Sequence, residues 1–208
     1  MFTGIVECTG EVVTITKENE NVTFEIASPV SHELKVDQSV AHNGVCLTVT
    51  HVADGKHRVT AILETLRKTN LGDWVEGSEV NIERCMQMNG RVDGHLVQGH
   101  VDQIATCTSV KDEDGSWFFT FEYDPSFGNI TVEKGSITIN GVSLTVVNSQ
   151  KGALSVAIIP YTYEHTNFKQ FRVGTKVNFE FDIIGKYLQK MFENSPYYQH
   201  FNQPPAAE

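Results

Sequence analysis

Asn43-Gly-Val-Cys-Leu-Thr-Val49 returns as Asn140-Gly-Val-Ser-Leu-Thr-Val146, 97 residues further along the chain. Laid over one another without a gap, residues 43–83 and 140–180 share 16 identities in 41 positions. They include Gly55/Gly152, Thr65/Thr162, Thr69-Asn70/Thr166-Asn167, Gly77/Gly174 and Val80-Asn81/Val177-Asn178. Average residue usage would give about two or three by accident. The openings agree too, at an offset of 95, where Met1-Phe-Thr-Gly-Ile-Val6 lies over Leu96-Val-Gln-Gly-His-Val101. A period this long is no solenoid unit; it predicts two similar small domains in tandem.

Period-two logic gives the repeated heptapeptide two faces. Val45, Leu47 and Val49 point one way, and Cys46, Thr48 and Thr50 the other; in the copy Val142, Leu144 and Val146 oppose Ser143 and Thr145. Around it, β-branched and aromatic runs alternate with turn signals. They are Gly10–Ile15, Val22–Ile26, Ser39–Ala41, Arg58–Ile62 and Val80–Glu83, then Phe118–Tyr123, Ser136–Ile139, Leu154–Ile158 and Lys176–Phe181. Asp54-Gly55 marks a tight hairpin. Roughly six strands per repeat predict an all-β chain of two duplicated six-stranded Greek-key barrels, closed so that no edge is left open. Short helices are expected near Ser31–Leu34, Thr65–Asn70 and Thr162–Asn167. In 182–194, apolar residues at 183, 184, 187, 188, 191 and 192 fall on one helical face, giving an amphipathic C-terminal helix. The expected division is 1–95 and 96–181 for the barrels, with Met86–Gly94 as the linker, 182–194 for the helix and 195–208 as a loose tail.

Composition narrows the function classes. With 16 Lys and Arg against 26 Asp and Glu, the net charge is −10, and the strongest basic cluster is the pair Arg67-Lys68. Nucleic-acid binding needs clustered cations to release counterions, so it is not expected. The four cysteines, at 8, 46, 85 and 107, form no C-x-x-C pair and no metal-like spacing, as reduced thiols would. No apolar run reaches the ~18 residues of a membrane span, and Met1-Phe-Thr-Gly carries no signal-peptide pattern. A cytoplasmic protein is expected.

The chemistry concentrates on the polar strand faces. A half-buried strand ordinarily turns such a face to water, but here it is kept in both copies with Cys46 against Ser143 as the main change. Small hydroxyls and a thiol can hydrogen-bond an uncharged polar ligand without the desolvation cost of a fixed charge, so paired pockets are predicted. Cys46 alone would read as a small buried residue. Ser143 has no Asp or His close by in sequence and no G-x-S-x-G around it, which argues against a hydrolase nucleophile. His95 and His100 fall on opposite sides of an extended segment and are unsuited to chelating one metal; a single His near a pocket can still serve as a base. His32, His51 and His57 read as surface residues. Neither G-x-G-x-x-G nor a Walker sequence is present.

Taken together, these segments resemble the alpha-chain riboflavin synthase family, proteins with two lumazine-binding repeats. The resemblance runs from Met1 to about Phe192. Its most specific pieces are Met1–Val6, Ala41–Val49, Glu64-Thr-Leu-Arg67 with Thr69-Asn-Leu-Gly72, Gly94–His100, Asn140–Val146 and Phe181–Tyr187. It implies a dismutation in which two molecules of 6,7-dimethyl-8-ribityllumazine exchange a four-carbon unit to give riboflavin and 5-amino-6-(D-ribitylamino)uracil, with no cofactor and no metal. It also implies a homotrimer, in which the N-terminal barrel of one protomer meets the C-terminal barrel of a neighbour and the C-terminal helix forms the trimer contact.

By position, the resemblance implies that Gly4, Ile5, Val6, Cys46, Leu47, Thr48 and the run Thr60, Ala61, Ile62, Leu63, Glu64, Thr65 line the N-terminal pocket. Gly99, His100, Val101, Ser143, Leu144, Thr145 and the run Ala157, Ile158, Ile159, Pro160, Tyr161, Thr162 line the other, with Lys134 at the rim. Phe2 shapes a pocket wall and Asp182 orients polar partners. The catalytic assignments are proton transfer by His100, hydrogen-bond activation by Ser143, and nucleophilic or hydrogen-bonding help from Cys46. The chain departs from the family at Asn140, where Asp is common, so no acid–base role is expected there. Two other readings stay open: a non-catalytic lumazine- or flavin-binding protein of the same fold, as in luminescence antenna proteins, and a barrel pair serving only as an interaction scaffold.

Overall fold

The computed structural model describes residues 1–195. The first six strands are β1 (Cys8–Glu18), β2 (Asn21–Ala27), β3 (Ser39–His42), β4 (Val45–Ala53), β5 (Lys56–Ala61) and β6 (Glu79–Arg84). They close an antiparallel barrel in the order β1-β2-β5-β4-β3-β6. The second set is β7 (Gln103–Asp112), β8 (Trp117–Glu122), β9 (Ser136–Ile139), β10 (Val142–Gln150), β11 (Ala153–Ile158) and β12 (Lys176–Phe181). It repeats the same Greek-key order, β7-β8-β11-β10-β9-β12. Sequence reading had no strand at β7, whose inward residues are Gln103, Ala105 and Cys107 rather than large β-formers. Register shifts at Val49/His51 and Val147/Gln150 fall at matching places in β4 and β10 and bend both sheets toward closure.

Each barrel has its own core. The first is aliphatic around Val40, Leu47, Val59 and Ile82; the second is aromatic, with Phe119, Phe121, Phe168 and Phe179 fully buried. Their rings meet edge to face at 5.2–5.6 Å for Phe119–Phe168 and Phe121–Phe179. Each fully buried ring contributes about 1.5–3 kcal/mol by removing apolar surface from water.

The expected helices appear as a 3-10 turn at Ser31–Glu33 and as α1 (Leu63–Lys68) and α2 (Pro160–His165). The C-terminal helix is α3 (Ile183–Glu193), capped where the Asp182 carboxylate accepts the Ile184 N–H at 3.0 Å. Ile184, Tyr187, Leu188, Met191 and Phe192 on this helix are each more than half exposed. The expected loose tail falls, beyond Ser195, outside the described residues. Among the described residues no helix is long and apolar enough to cross a membrane.

The barrels join back to back through amides. Asn43-Gly44 and Asn140-Gly141 are the hairpin turns β3–β4 and β9–β10, with positive φ at all four residues. A Cβ on Gly44 would lie 2.7 Å from the Gly141 nitrogen, and one on Gly141 2.8 Å from the Gly44 nitrogen, so only glycine allows the turns to touch. Around them the repeated asparagines bond across the joint. The Asn81 amide donates to the Asn140 carbonyl and the Asn178 amide to the Asn43 carbonyl, both at 2.9 Å. The Asn70 N–H donates to Asn178 Oδ1 at 2.7 Å, and the Asn167 N–H to Asn81 Oδ1 at 2.8 Å. Asn140 accepts the Asn178 N–H through Oδ1 at 2.8 Å.

Candidate functional site

Period two orients the repeated heptapeptide as expected. In β4, Val45, Leu47 and Val49 are buried, Cys46 is half-buried and Thr48 is exposed. In β10, Val142 and Val146 are buried, Ser143 is half-buried and Thr145 is exposed; Leu144 is half-buried against the core.

What completes each polar face comes from the other repeat. The Ser143 N–H donates to the Gly4 carbonyl at 2.7 Å, and the Cys46 N–H donates to the Gly99 carbonyl at 2.8 Å. Between these contacts, Phe2 and Val97 exchange backbone hydrogen bonds of 2.7 and 3.1 Å. Val6 packs on the second barrel's core and Val101 on the first. The expected grouping is therefore corrected: Gly4-Ile5-Val6 joins Ser143, and Gly99-His100-Val101 joins Cys46. The physical reason is that each opening segment precedes its own first strand and crosses the joint to extend the neighbouring barrel. Close approach dictates glycine, because a Cβ at Gly4 would sit 2.6 Å from the Ser143 Cβ and one at Gly99 2.5 Å from the Cys46 Cβ. Both have positive φ, 76° and 79°.

At the second-barrel site, Ser143 Oγ lies 2.6 Å from His95 Nδ1, and His95 Nε2 lies 3.1 Å from Thr138 Oγ1. Sequence distance hid this pair, 48 residues apart. Burial holds His95 below the ordinary histidine value, opposed by the nearby Asp182 charge. A neutral imidazole can take a proton from the serine hydroxyl or polarise it. Lys134 is exposed on a tight turn at φ 64°, its N–H donating to the Val146 carbonyl at 2.9 Å.

At the first-barrel site, Val45, Cys46, Glu64, Thr65, Lys68, Thr69, Gly99, His100 and Val101 line a cleft of about 260 Å³. His100 is exposed at its edge. Burial pushes the Cys46 thiol up from its ordinary value, so it is a thiol near neutrality, suited to hydrogen bonding more than to nucleophilic attack.

Other expected lining residues divide by burial. Phe2, Ala61 and Ile158 are fully buried and Leu47 nearly so, which leaves only their backbones for a ligand. The Thr60 hydroxyl is 2.9 Å from that of Thr23. Ile5, Ile62, Glu64, Ala157, Ile159, Pro160 and Tyr161 are exposed, while Leu63, Thr65 and Thr162 are half-buried. The Tyr161 ring stacks on His165 at 4.0 Å. His57, expected at the surface, is instead fully buried, with Nε2 2.8 Å from His42 Nε2 and Nδ1 2.8 Å from Ser31 Oγ.

Two buried carboxylates escaped the sequence reading. Glu83 accepts the Thr3 N–H at 2.7 Å and the Gly4 N–H at 3.1 Å. Glu180 accepts Gln98 N–H at 2.7 Å and the N–H groups of Gly99 and His100 at 2.9 Å. Burial raises both, Glu180 to about 7, against the pull of its backbone donors and of Lys186. The signal available was their identity at matching places in the repeat.

Two copies of one fold, each with a polar strand face closed by a crossing segment, define a protein with two related ligand sites. The lumazine binding domain family matches residues 3–85 and again 98–182, and the chain belongs to that family. A riboflavin synthase of Bacillus subtilis (strain 168) is 38% identical over 94% of this chain and 91% of its own length. One from Saccharomyces cerevisiae is 36% identical over 91% of this chain and 85% of its own. Within the family, this chain groups with the riboflavin synthases. LumP complexed with riboflavin has the same fold, with a TM-score of 0.81 over 87% of this chain and 99% of that one at 21% identity.

Proposed function

We propose that this protein is a riboflavin synthase, a transferase that moves a four-carbon unit between two molecules of 6,7-dimethyl-8-ribityllumazine and releases riboflavin and 5-amino-6-(D-ribitylamino)uracil. The observation that carries this reading is the duplication of the polar strand face, Cys46 in one copy and Ser143 in the other, each closed by a backbone bond from the opposite repeat. A dismutation needs two cradles of one kind. Carbons lost by the donor are gained by the acceptor, so the reaction balances without an external oxidant, reductant or cofactor.

The 7-methyl group of the substrate is acidic because its carbanion delocalises into the ring, and His100 at the edge of the Cys46 cleft takes that proton. Ser143, paired with His95, activates the second lumazine by hydrogen bonding. Cys46 donates from its protonated thiol. The backbone of 62–64 and 159–161 and the hydroxyls of Thr48 and Thr145 hold the ring edges and ribityl chains. Holding the two rings in register supplies the largest share of the acceleration, an effect that can reach ~7–11 kcal/mol.

This function also carries an assembly. The protein works as a homotrimer in the cytoplasm, with the apolar face of α3 as the contact and catalysis where the N-terminal barrel of one protomer meets the C-terminal barrel of the next. The chain divides for this purpose into barrels at 1–95 and 96–181 and a contact helix at 182–194.

The alternative, a non-catalytic lumazine- or flavin-binding protein of the same fold, needs neither two equipped sites nor the Ser143–His95 pair. Incubating the purified protein with 6,7-dimethyl-8-ribityllumazine alone separates the two. Two lumazines consumed per riboflavin formed is the expected result; tight binding with no riboflavin would leave the binding protein.

A further inference from the structure

Glu83 and Glu180 are almost fully buried, yet neither faces a counter-ion directly; what each holds is a row of backbone N–H groups. Those donors belong to the segments that cross the joint. Glu180 sits on β12 of the second barrel, and the segment it gathers, 98–100, delivers the Gly99 carbonyl to the Cys46 N–H of the first barrel. Glu83 sits on β6 of the first barrel and gathers 3–5, which delivers the Gly4 carbonyl to Ser143 of the second.

We infer that Glu83 and Glu180 are positioning residues wired crosswise, each fixing from its own barrel the segment that completes the ligand site of the other. The inference rests on the proposed function for the identity of the ligand, but not for the wiring itself. An ionised carboxylate has only acceptors to offer and satisfies the donors that converge on it, three N–H groups at Glu180 and two N–H groups with the Thr3 hydroxyl at Glu83, whereas an amide of the same shape turns one N–H₂ toward them. A buried donor facing a donor is unsatisfied, so the segment loosens while the barrel that carries the carboxylate keeps its apolar core.

The test uses the full chain and two variants, Glu180→Gln and Glu83→Gln. Backbone amide hydrogen exchange is followed by NMR without ligand, and 6,7-dimethyl-8-ribityllumazine is then titrated in while the Cys46 and Ser143 amides are monitored. In E180Q, exchange at Gly99, His100 and Cys46 should accelerate by about tenfold or more while Ser143 is unmoved, and ligand at the Cys46 site should bind about tenfold more weakly. E83Q should give the mirror pattern. Acceleration confined to the barrel that carries the substitution, or none at Cys46 in E180Q, would overturn the inference. If E180Q does not fold, Glu180→Asp keeps the charge on a shorter arm and should show the same crossed pattern at smaller size; an uncrossed pattern there overturns it equally. A wild-type protein that takes up no lumazine would sink the functional reading, while the ligand-free exchange would still decide the wiring.

Discussion

Ser143 and Cys46 hold equivalent places in the repeat but not equivalent chemistry. Ser143 has an imidazole at hydrogen-bond distance, and that ring is kept neutral by burial. Cys46 has the Gly99 carbonyl on its backbone and a thiol pushed up by burial. The two sites therefore differ in the groups they offer, a hydroxyl paired with an imidazole at Ser143 and a protonated thiol near the exposed His100 at Cys46. Ser143→Ala removes the hydroxyl bonded to His95 while leaving the Gly4 bond, which uses the backbone, in place. Steady-state assays should show turnover lower by about a hundredfold, with lumazine affinity changed by less than about threefold. An unchanged turnover would take Ser143 out of the mechanism.

Between elements, the two barrels solve the same packing problem differently. Where β3 and β5 of the first barrel place His42 and His57, the matching positions of β9 and β11 hold Ile139 and Leu154. The imidazoles are joined Nε2 to Nε2, an arrangement that requires one donor and one acceptor, and a second proton would set two N–H groups against each other. Burial and the neighbouring ring hold His42 well below the ordinary value, and burial lowers His57 to about 4. Because the folded values lie below the unfolded one, the neutral pair supports the fold fully above pH about 6.5, and that support drains away as pH falls toward 4. For His57 the loss amounts to about 2 kcal/mol at pH 5. Urea midpoints measured at pH 7 and pH 5 should reveal it, and His42→Ile with His57→Leu, copying the second barrel, should flatten the slope. A slope unaltered by that double change would place the acid sensitivity elsewhere.

At the scale of the molecule, the joint and the C-terminal helix decide what the barrels can do. The joint is a polar lock of repeated asparagines around two touching glycine turns, and it aligns the crossing segments with the sites they close. Each buried amide left without its partner would cost about 1–3 kcal/mol, which keeps the two halves in one arrangement. The helix α3 is tied down through Lys186 to Asp102 and through Gln189 to the Gly128 carbonyl, and among the described residues Ile184, Tyr187, Leu188 and Met191 on its apolar side are more than half exposed. If that face is the trimer contact, Leu188→Lys should shift sedimentation from trimer to monomer and cut turnover per chain, while the melting of the barrels changes little. A trimer that survives the lysine would assign assembly to another surface.

The repeat itself, the faces of β4 and β10, the turn at Asp54-Gly55 and the amphipathic stretch at 183–192 were legible because each is a local pattern of period 2, period 3.6 or plain identity. So was the resemblance that points to two lumazine sites. The β7 strand was not, since small and polar residues at Gln103, Ala105 and Cys107 serve inside a barrel whose large side chains come from other strands. Nor was the partnership of His95 with Ser143, the burial of His57, the grip of Glu83 and Glu180, or the exchange of the opening segments. All of these join residues far apart in the chain, and only barrel closure and the back-to-back joint bring them within hydrogen-bond reach. Sequence alone therefore determined which fold was built and that it was built twice; the tertiary structure decided which half of the chain completes which site, because that depends on the path of a backbone across an interface and not on any local pattern.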